Sequence, residues 1–169
     1  MKVFGSKSGG WIGGSRLEAD RPNIELLGAV SHEELRGLYT NALFTAFPFT
    51  EEPFGFVPIE SMACGTPVLT YAKQGPGETV VDGLTGWLVP SSPAFLRQAR
   101  RVHELGYPTS WRDACIRHAN IFRLEVAGAR WNKILRSTLD RGDLRPPTSR
   151  SPGGPILSAT GYPALERAH

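Results

Sequence analysis

The sequence predicts an α/β fold, a mostly parallel sheet flanked by helices, on three observations. Short apolar segments alternate with helix-patterned ones from residue 2 to residue 89. Segment 43–48 is largely apolar, as strands buried on both faces of a parallel sheet are. The intervening segments carry helix start and stop residues, so each strand leads into a crossover that returns the chain parallel.

In order, Lys2-Val3-Phe4 reads as a strand, ended by a glycine-rich loop over residues 5–15. Residues 24–28 are a second strand. Ser31-His32-Glu33-Glu34 is a capping box, and Leu35, Leu38 and Tyr39 give the helix behind it an apolar stripe. The third strand, 43–48, precedes a helix with Pro58 in its first turn, where an amide has no intrahelical partner, and Gly65 as its stop. A fourth strand over 67–71, a short helix over 78–81 and a fifth strand over 86–89 complete the alternation. Three helices follow. Ser92 is expected to cap the first, with Pro93 behind it and Gly106 as its stop. Ser110 with Asp113 opens the second. The third runs over 124–139, with Val126, Trp131, Ile134, Leu135 and Leu139 apolar. The expected organisation is one domain over 1–140 and a disordered Pro/Gly/Ser/Arg-rich tail over 141–169.

The chain has 169 residues, enough for one real core, and its 40% hydrophobic and 21% charged content is ordinary for a globular protein. Its net charge of +3 singles out no partner. Arg97, Arg100, Arg101 and His103 read as a solvated helix face, and nothing has the character of a nucleic-acid groove. The longest apolar run, 42–49, falls far short of the about 20 residues that span a bilayer. The first residues lack the apolar region of a secretory signal, which makes a cytoplasmic location the expectation. Two cysteines, Cys64 and Cys115, supply neither a disulfide framework nor a metal site.

The most informative stretch runs from Glu52 to Val68: Glu-Pro-Phe-Gly-Phe-Val-Pro-Ile-Glu-Ser-Met-Ala-Cys-Gly-Thr-Pro-Val. Two glutamates bracket an aromatic-glycine turn and the first turns of a helix. A helix N-terminus offers unpaired amides and about half a positive charge, enough to hold a phosphate. Gly55 lets backbone approach a ligand with no Cβ in the way. Fixed dipoles of this kind suit a reaction in which negative charge builds on a leaving diphosphate. Lys73 and Gln74 close the fourth strand at the end of the sheet where open α/β folds bind ligands, with Lys73 read as a surface lysine and His32 as a solvated residue.

The motif resembles the donor-binding segment of the retaining family-4 (group 1) glycosyltransferases, whose glutamates are also separated by seven residues. The similarity covers residues 22–90, including Gly-Thr-Pro-Val, the Gly75-Pro76-Gly77-Glu78 loop and Asp-Gly-Leu-Thr-Gly-Trp-Leu-Val. It implies the C-terminal, Rossmann-like half of a two-domain GT-B architecture. By that resemblance, Glu52 is the catalytic-site carboxylate beside the donor sugar, and the amides around Phe54, Gly55, Phe56 and Val57 meet sugar and distal phosphate. Glu60 accepts from the ribose hydroxyls, and Gly28 to Val30 contact the base through the main chain. The implied donor is a nucleotide-diphosphate sugar, with no metal and no other cofactor. Front-face transfer with retention is implied, to a sugar, lipid-linked or small-molecule acceptor, in the cytoplasm or peripheral to a membrane.

In that family the domain opens with a further strand, then a loop and helix carrying the arginine and lysine that clamp the diphosphate. Met1 aligns with the next strand, so the sequence reads as a domain without its first strand and helix, with a reduced helix at Arg16-Leu17-Glu18-Ala19. The missing strand is central in doubly wound order, so its neighbours either keep unpaired edges or close on each other. The expected role is a donor-binding domain inactive without its N-terminal part. A non-catalytic nucleotide-sugar-binding subunit docked on a separate acceptor-binding chain, and a GT-B sugar epimerase or phosphorylase fragment, are the alternatives.

Overall fold

The structure, a computed structural model, describes residues 1–4 and 23–140. The glycine-rich loop, the reduced helix and the tail lie outside the described residues. The chain divides into two units, Met1–Ala127 and Gly128–His169.

The described residues of the first unit hold five short parallel strands in two sheets. β1 (Lys2–Phe4) pairs with β2 (Glu25–Gly28), with an irregularity between Val3 and Phe4. β3 (Thr45–Phe47), β4 (Val68–Tyr71) and β5 (Gly86–Val89) form a second sheet in the order β3-β4-β5. The single sheet expected from the alternation is therefore divided, and β1 and β3 share no ladder among the described residues.

All four residues of β4 are buried, as a strand with neighbours on both edges and layers on both faces requires. Its side chains alternate between two cores. Val68 joins Phe47, Met62, Val80, Cys115 and Ala119 under α2 (Phe56–Ala63) and α5 (Ser110–Ala119). Leu69 and Tyr71 join Val89 and Phe95 under α4 (Ser92–Leu105), with Phe44 and Trp87 alongside. Met62, Val68 and Leu69 are fully buried, each stabilising the fold by about 1.5–3 kcal/mol. The Cys115 thiol sits in the first core, where burial pushes its pKa up to about 12, so it behaves as a small apolar residue.

Local signals place most elements. α1 (His32–Asn41) starts at a full capping box: Ser31 Oγ accepts from Glu34 N at 3.2 Å, and Ser31 N donates to Glu34 Oε2 at 2.8 Å. The Ser31 amide foremost, and the Ser31 hydroxyl, which donates to the same Oε2 at 2.7 Å, hold the Glu34 carboxyl below its ordinary pKa. Ser31→Ala is expected to lower stability by about 1 kcal/mol in urea unfolding near neutral pH. The lowered pKa makes Glu34's share present above the unfolded carboxylate value and lost as pH falls through the folded one. The gap between the two proteins should therefore narrow in acid without closing, because the Ser31 Oγ bond to the Glu34 amide does not titrate.

Two boundaries differ from expectation, while α5 opens at Ser110 as expected. The short helix after β4 is α3 (Gln74–Thr79), so Gly75-Pro76-Gly77-Glu78 is helical and not a loop, while Val80 is extended. The β-branched Val80 and Val81 favour that extended backbone, and Pro76 falls in the first turn, where no amide is needed. The α4 N-cap is Ser91 rather than Ser92, because the Ser92 hydroxyl is 2.9 Å from the Tyr71 hydroxyl. Ser110 is the first residue of α5 behind Thr109. α6 (Leu124–Asp140) ends the described chain. In its second-unit portion Trp131, Ile134, Leu135 and Leu139 are all more than half exposed. Among the described residues no helix is long and apolar enough to cross a membrane.

Candidate functional site

Because β3 and β4 are parallel, with Phe47 opposite Thr70, both deliver the chain to the same end of the sheet. From β3 it passes through residues 48–55 into α2, and from β4 through Ala72 and Lys73 into α3. The starts of the two helices are tied together there. Gly75 N donates to the Glu52 carbonyl at 3.1 Å, and a Cβ on Gly75 would overlap the Phe54 backbone. Gly55 takes the left-handed conformation, φ +88°, and caps α2 with no side-chain bond. A Cβ there would also come within 3.1 Å of the Pro76 ring. Two glycines thus let two chain segments touch backbone to backbone, which is what a turn that must approach a ligand needs.

The carboxylates bound this turn on either side. Glu52 Oε1 accepts from Gly55 N at 2.9 Å and from Phe54 N at 3.4 Å. The Gly55 amide is therefore taken by the protein's own carboxylate. The amides of Phe56 and Val57, in the first turn of α2, have no intrahelical acceptor by geometry. Phe54 and Phe56 pack edge to face at 4.9 Å and remain 40% and 67% exposed, while Val57 reaches the core. Glu60 is exposed, and its Oε2 accepts from the Tyr39 hydroxyl at 3.2 Å. Burial first, and the nearby Glu60 carboxylate second, push the Tyr39 pKa far above its ordinary value, so the phenol stays a donor.

The motif is braced from below. Ser61 Oγ lies 2.7 Å from Thr45 Oγ1 on β3 and donates to the Thr66 carbonyl at 2.9 Å. Thr66 Oγ1 donates to the Tyr39 carbonyl at 2.5 Å. On the far side, His118 Nε2 lies 2.9 Å from the Thr79 carbonyl, an acceptor only, so Nε2 carries the hydrogen. The His118 ring meets Phe122, which in turn meets Phe54.

The structure thus brings Glu52, Phe54, Gly55, Phe56, Val57 and Glu60 into one turn and helix start. Gly28, buried with φ +70°, is the last residue of β2 in the other sheet, and the half-buried Val30 follows that strand. No hydrogen bond among the described residues joins them to the motif. Lys73 and His32 are exposed. Two contributors went unrecognised in the sequence. Tyr39 was assigned to the apolar stripe of α1, although a buried phenol implies a partner for its hydroxyl. Gly75 was assigned to a loop, although Gly-Pro-Gly after a buried strand signals close backbone approach. A cavity of about 430 Å³ opens elsewhere, beside β5, walled by Trp87, Tyr107 and Trp111. None of the motif residues lines it, and its rings pack on one another.

Comparison with known proteins agrees with this fold. The family model "Glycosyl transferases group 1" matches residues 18–112. The chain is similar to D-inositol 3-phosphate glycosyltransferase 1 of Catenulispora acidiphila, 33% identical over 118 residues, covering 68% of this chain and 28% of that protein. It is also similar to an uncharacterized glycosyltransferase of Methanocaldococcus jannaschii, 41% identical over 66 residues, 39% of this chain and 19% of that one. The chain therefore spans less than a third of either relative. Among solved structures, sucrose-phosphate synthase from Thermosynechococcus elongatus superposes with a TM-score of 0.62 at 29% identity, over 70% of this chain and 31% of that one. Anabaena HepE, solved with UDP and glucose, gives 0.56 at 25% identity, over 71% and 32%. The parallel strands, the helix-start motif and the family match lead to one assignment: the chain belongs to the group 1 glycosyltransferases.

Proposed function

We propose that this chain is the donor-binding part of a retaining glycosyltransferase and holds a nucleotide-diphosphate sugar for transfer to an acceptor hydroxyl. The observation that carries the reading is the convergence of the α2 and α3 starts at the C-terminal ends of β3 and β4, flanked by Glu52 and Glu60. That HepE was solved with UDP and glucose supports a nucleotide-sugar ligand.

In this reading the distal phosphate lies over the Phe56 and Val57 amides, where the helix start favours negative charge. Glu52 uses Oε1 on the Gly55 amide, which fixes its rotamer, and offers Oε2 to the sugar hydroxyls. Glu60 addresses the ribose, and the main chain over 28–30 addresses the base. During transfer the bond from the anomeric carbon to the diphosphate oxygen breaks. The acceptor oxygen bonds to the same face of that carbon, and its proton passes to the leaving phosphate. The helix-start amides stabilise the charge on the leaving group where it develops. No metal is assigned to this role. The acceptor is assigned to a part of the protein outside this chain, so the chain alone should bind donor without turnover. Transfer by the purified chain alone would refute that division.

Calorimetric titration with UDP, GDP and ADP and their sugar conjugates tests the site. Glu60→Gln is expected to weaken the bare nucleotide about tenfold. Glu52→Gln should leave the bare nucleotide nearly unchanged and weaken its sugar conjugate. If both variants bind every ligand as wild type does, the site is elsewhere.

A further inference from the structure

We propose that Tyr39 is a positioning residue for Glu60, holding its carboxylate so that the site selects ribonucleoside diphosphates over their 2′,3′-dideoxy counterparts. The inference rests on the donor-site reading of Glu60 and adds a residue from another helix to it.

Glu60 stands on the outer side of α2, where a glutamate normally samples many rotamers, and it has no ion pair among the described residues. Its orientation comes from Tyr39. That side chain is only 3% exposed, in the last turn of α1, and its hydroxyl donates to Glu60 Oε2. The tyrosine is itself fixed by its backbone. Its carbonyl accepts from Thr66 Oγ1 and from Ala42 N, and Thr66 is fully buried just beyond the Gly65 stop of α2. Tyr39 therefore joins α1 to α2 at two points, one at the second turn of α2 and one past its end.

The two carboxylate oxygens acquire different tasks. Oε2 is committed to the phenol, while Oε1 has no hydrogen-bond partner among the described residues. A vicinal diol is a pair of donors that meets such an acceptor, and a dideoxyribose offers none. Holding the carboxylate still before binding removes rotamer entropy that ribose binding would otherwise have to overcome. The tyrosine stays protonated across the neutral range, so it remains a donor whether or not ligand is present.

The test is the ratio of UDP to 2′,3′-dideoxy-UDP affinity, measured on the full chain. Wild type should prefer UDP. Tyr39→Phe should lower UDP affinity about tenfold and leave the dideoxy nucleotide unchanged, so the ratio falls by the same factor. Thr66→Val removes the hydroxyl bond to the Tyr39 carbonyl and loses stability, yet should keep the wild-type ratio, because the Ala42 amide still holds that carbonyl and the phenol still reaches Glu60. Tyr39→Phe retaining the ratio while Glu60→Gln abolishes it would overturn the role of Tyr39 and leave the site reading intact. Both variants retaining it, or wild type showing no preference, would overturn both. Should Tyr39→Phe fail to fold, the wild-type chain labelled with 3-fluorotyrosine replaces it. A 19F signal from Tyr39 that moves with UDP but not with the dideoxy nucleotide supports the proposal, and one indifferent to both overturns it.

Discussion

Gly86→Ala is expected to lower the stability of the chain by at least about 3 kcal/mol, among the largest effects of any single methyl group in it. Gly86 opens β5 opposite Val68, and a Cβ there would overlap the Val68 carbonyl oxygen and stand 2.9 Å from Val80 Cγ1. The obstacle is backbone rather than a side-chain tip. Val68 belongs to a strand paired on both edges, and its amide is held by the Thr85 carbonyl at 3.1 Å. Neither partner has room to shift without breaking the ladder. Gly83→Ala is the comparison: φ there is +73°, but nothing lies within 4 Å of the added carbon, so only the left-handed backbone is penalised, by about 1–2 kcal/mol. Urea unfolding of both variants decides the matter. A Gly86→Ala midpoint matching that of Gly83→Ala would mean that β4 and β5 are not spaced as described.

Gly75→Ala should act on binding rather than on the sheet. The added carbon would stand 2.5 Å from both Phe54 N and Phe54 C, so α3 must move off the turn. The bond from Gly75 N to the Glu52 carbonyl goes with it. If that turn holds the donor, affinity should fall at least about 100-fold, or ~2.7 kcal/mol. Gly77→Ala, whose carbon would come no nearer than 3.3 Å, to Ala72, should bind within about threefold of wild type. Equal donor binding by wild type and Gly75→Ala would remove the Phe54–Gly55 turn from the site.

Elements governed by near neighbours in sequence were legible. Ser31 and Glu34 announced α1 and Gly65 ended α2, but the apolar run of β3 suggested burial on both faces, whereas β3 ends its sheet among the described residues and Ala46 is exposed. The family resemblance came from the same local regularity, two glutamates around a turn. The errors share a different cause. α3 begins where it does because Gly75 bonds to Glu52, and Gly-Pro-Gly has no helix propensity to signal it. Ser92 loses the cap to Ser91 because of a tyrosine on β4. The partner of Tyr39 lies in another helix, 21 residues away. The Gly55 amide is taken by Glu52 only because the turn is left-handed there. Each depends on contacts that exist only once the strands are paired. The division of the sheet was one of two outcomes the sequence allowed, and burial patterns alone do not choose between them.

β4 is the one strand, among those described, with a neighbour on each side. α2 returns to it through Gly65, and α3 departs from it two residues past Tyr71, so both walls of the candidate site are anchored in the same four residues. Occupancy and foldedness then become a single variable. A ligand gripping the two helix starts would act as a clasp on β4, and whatever loosens β4 would empty the site before any motif residue is touched. Variants that leave every glutamate and glycine of the motif intact can therefore silence it from within the strand beneath.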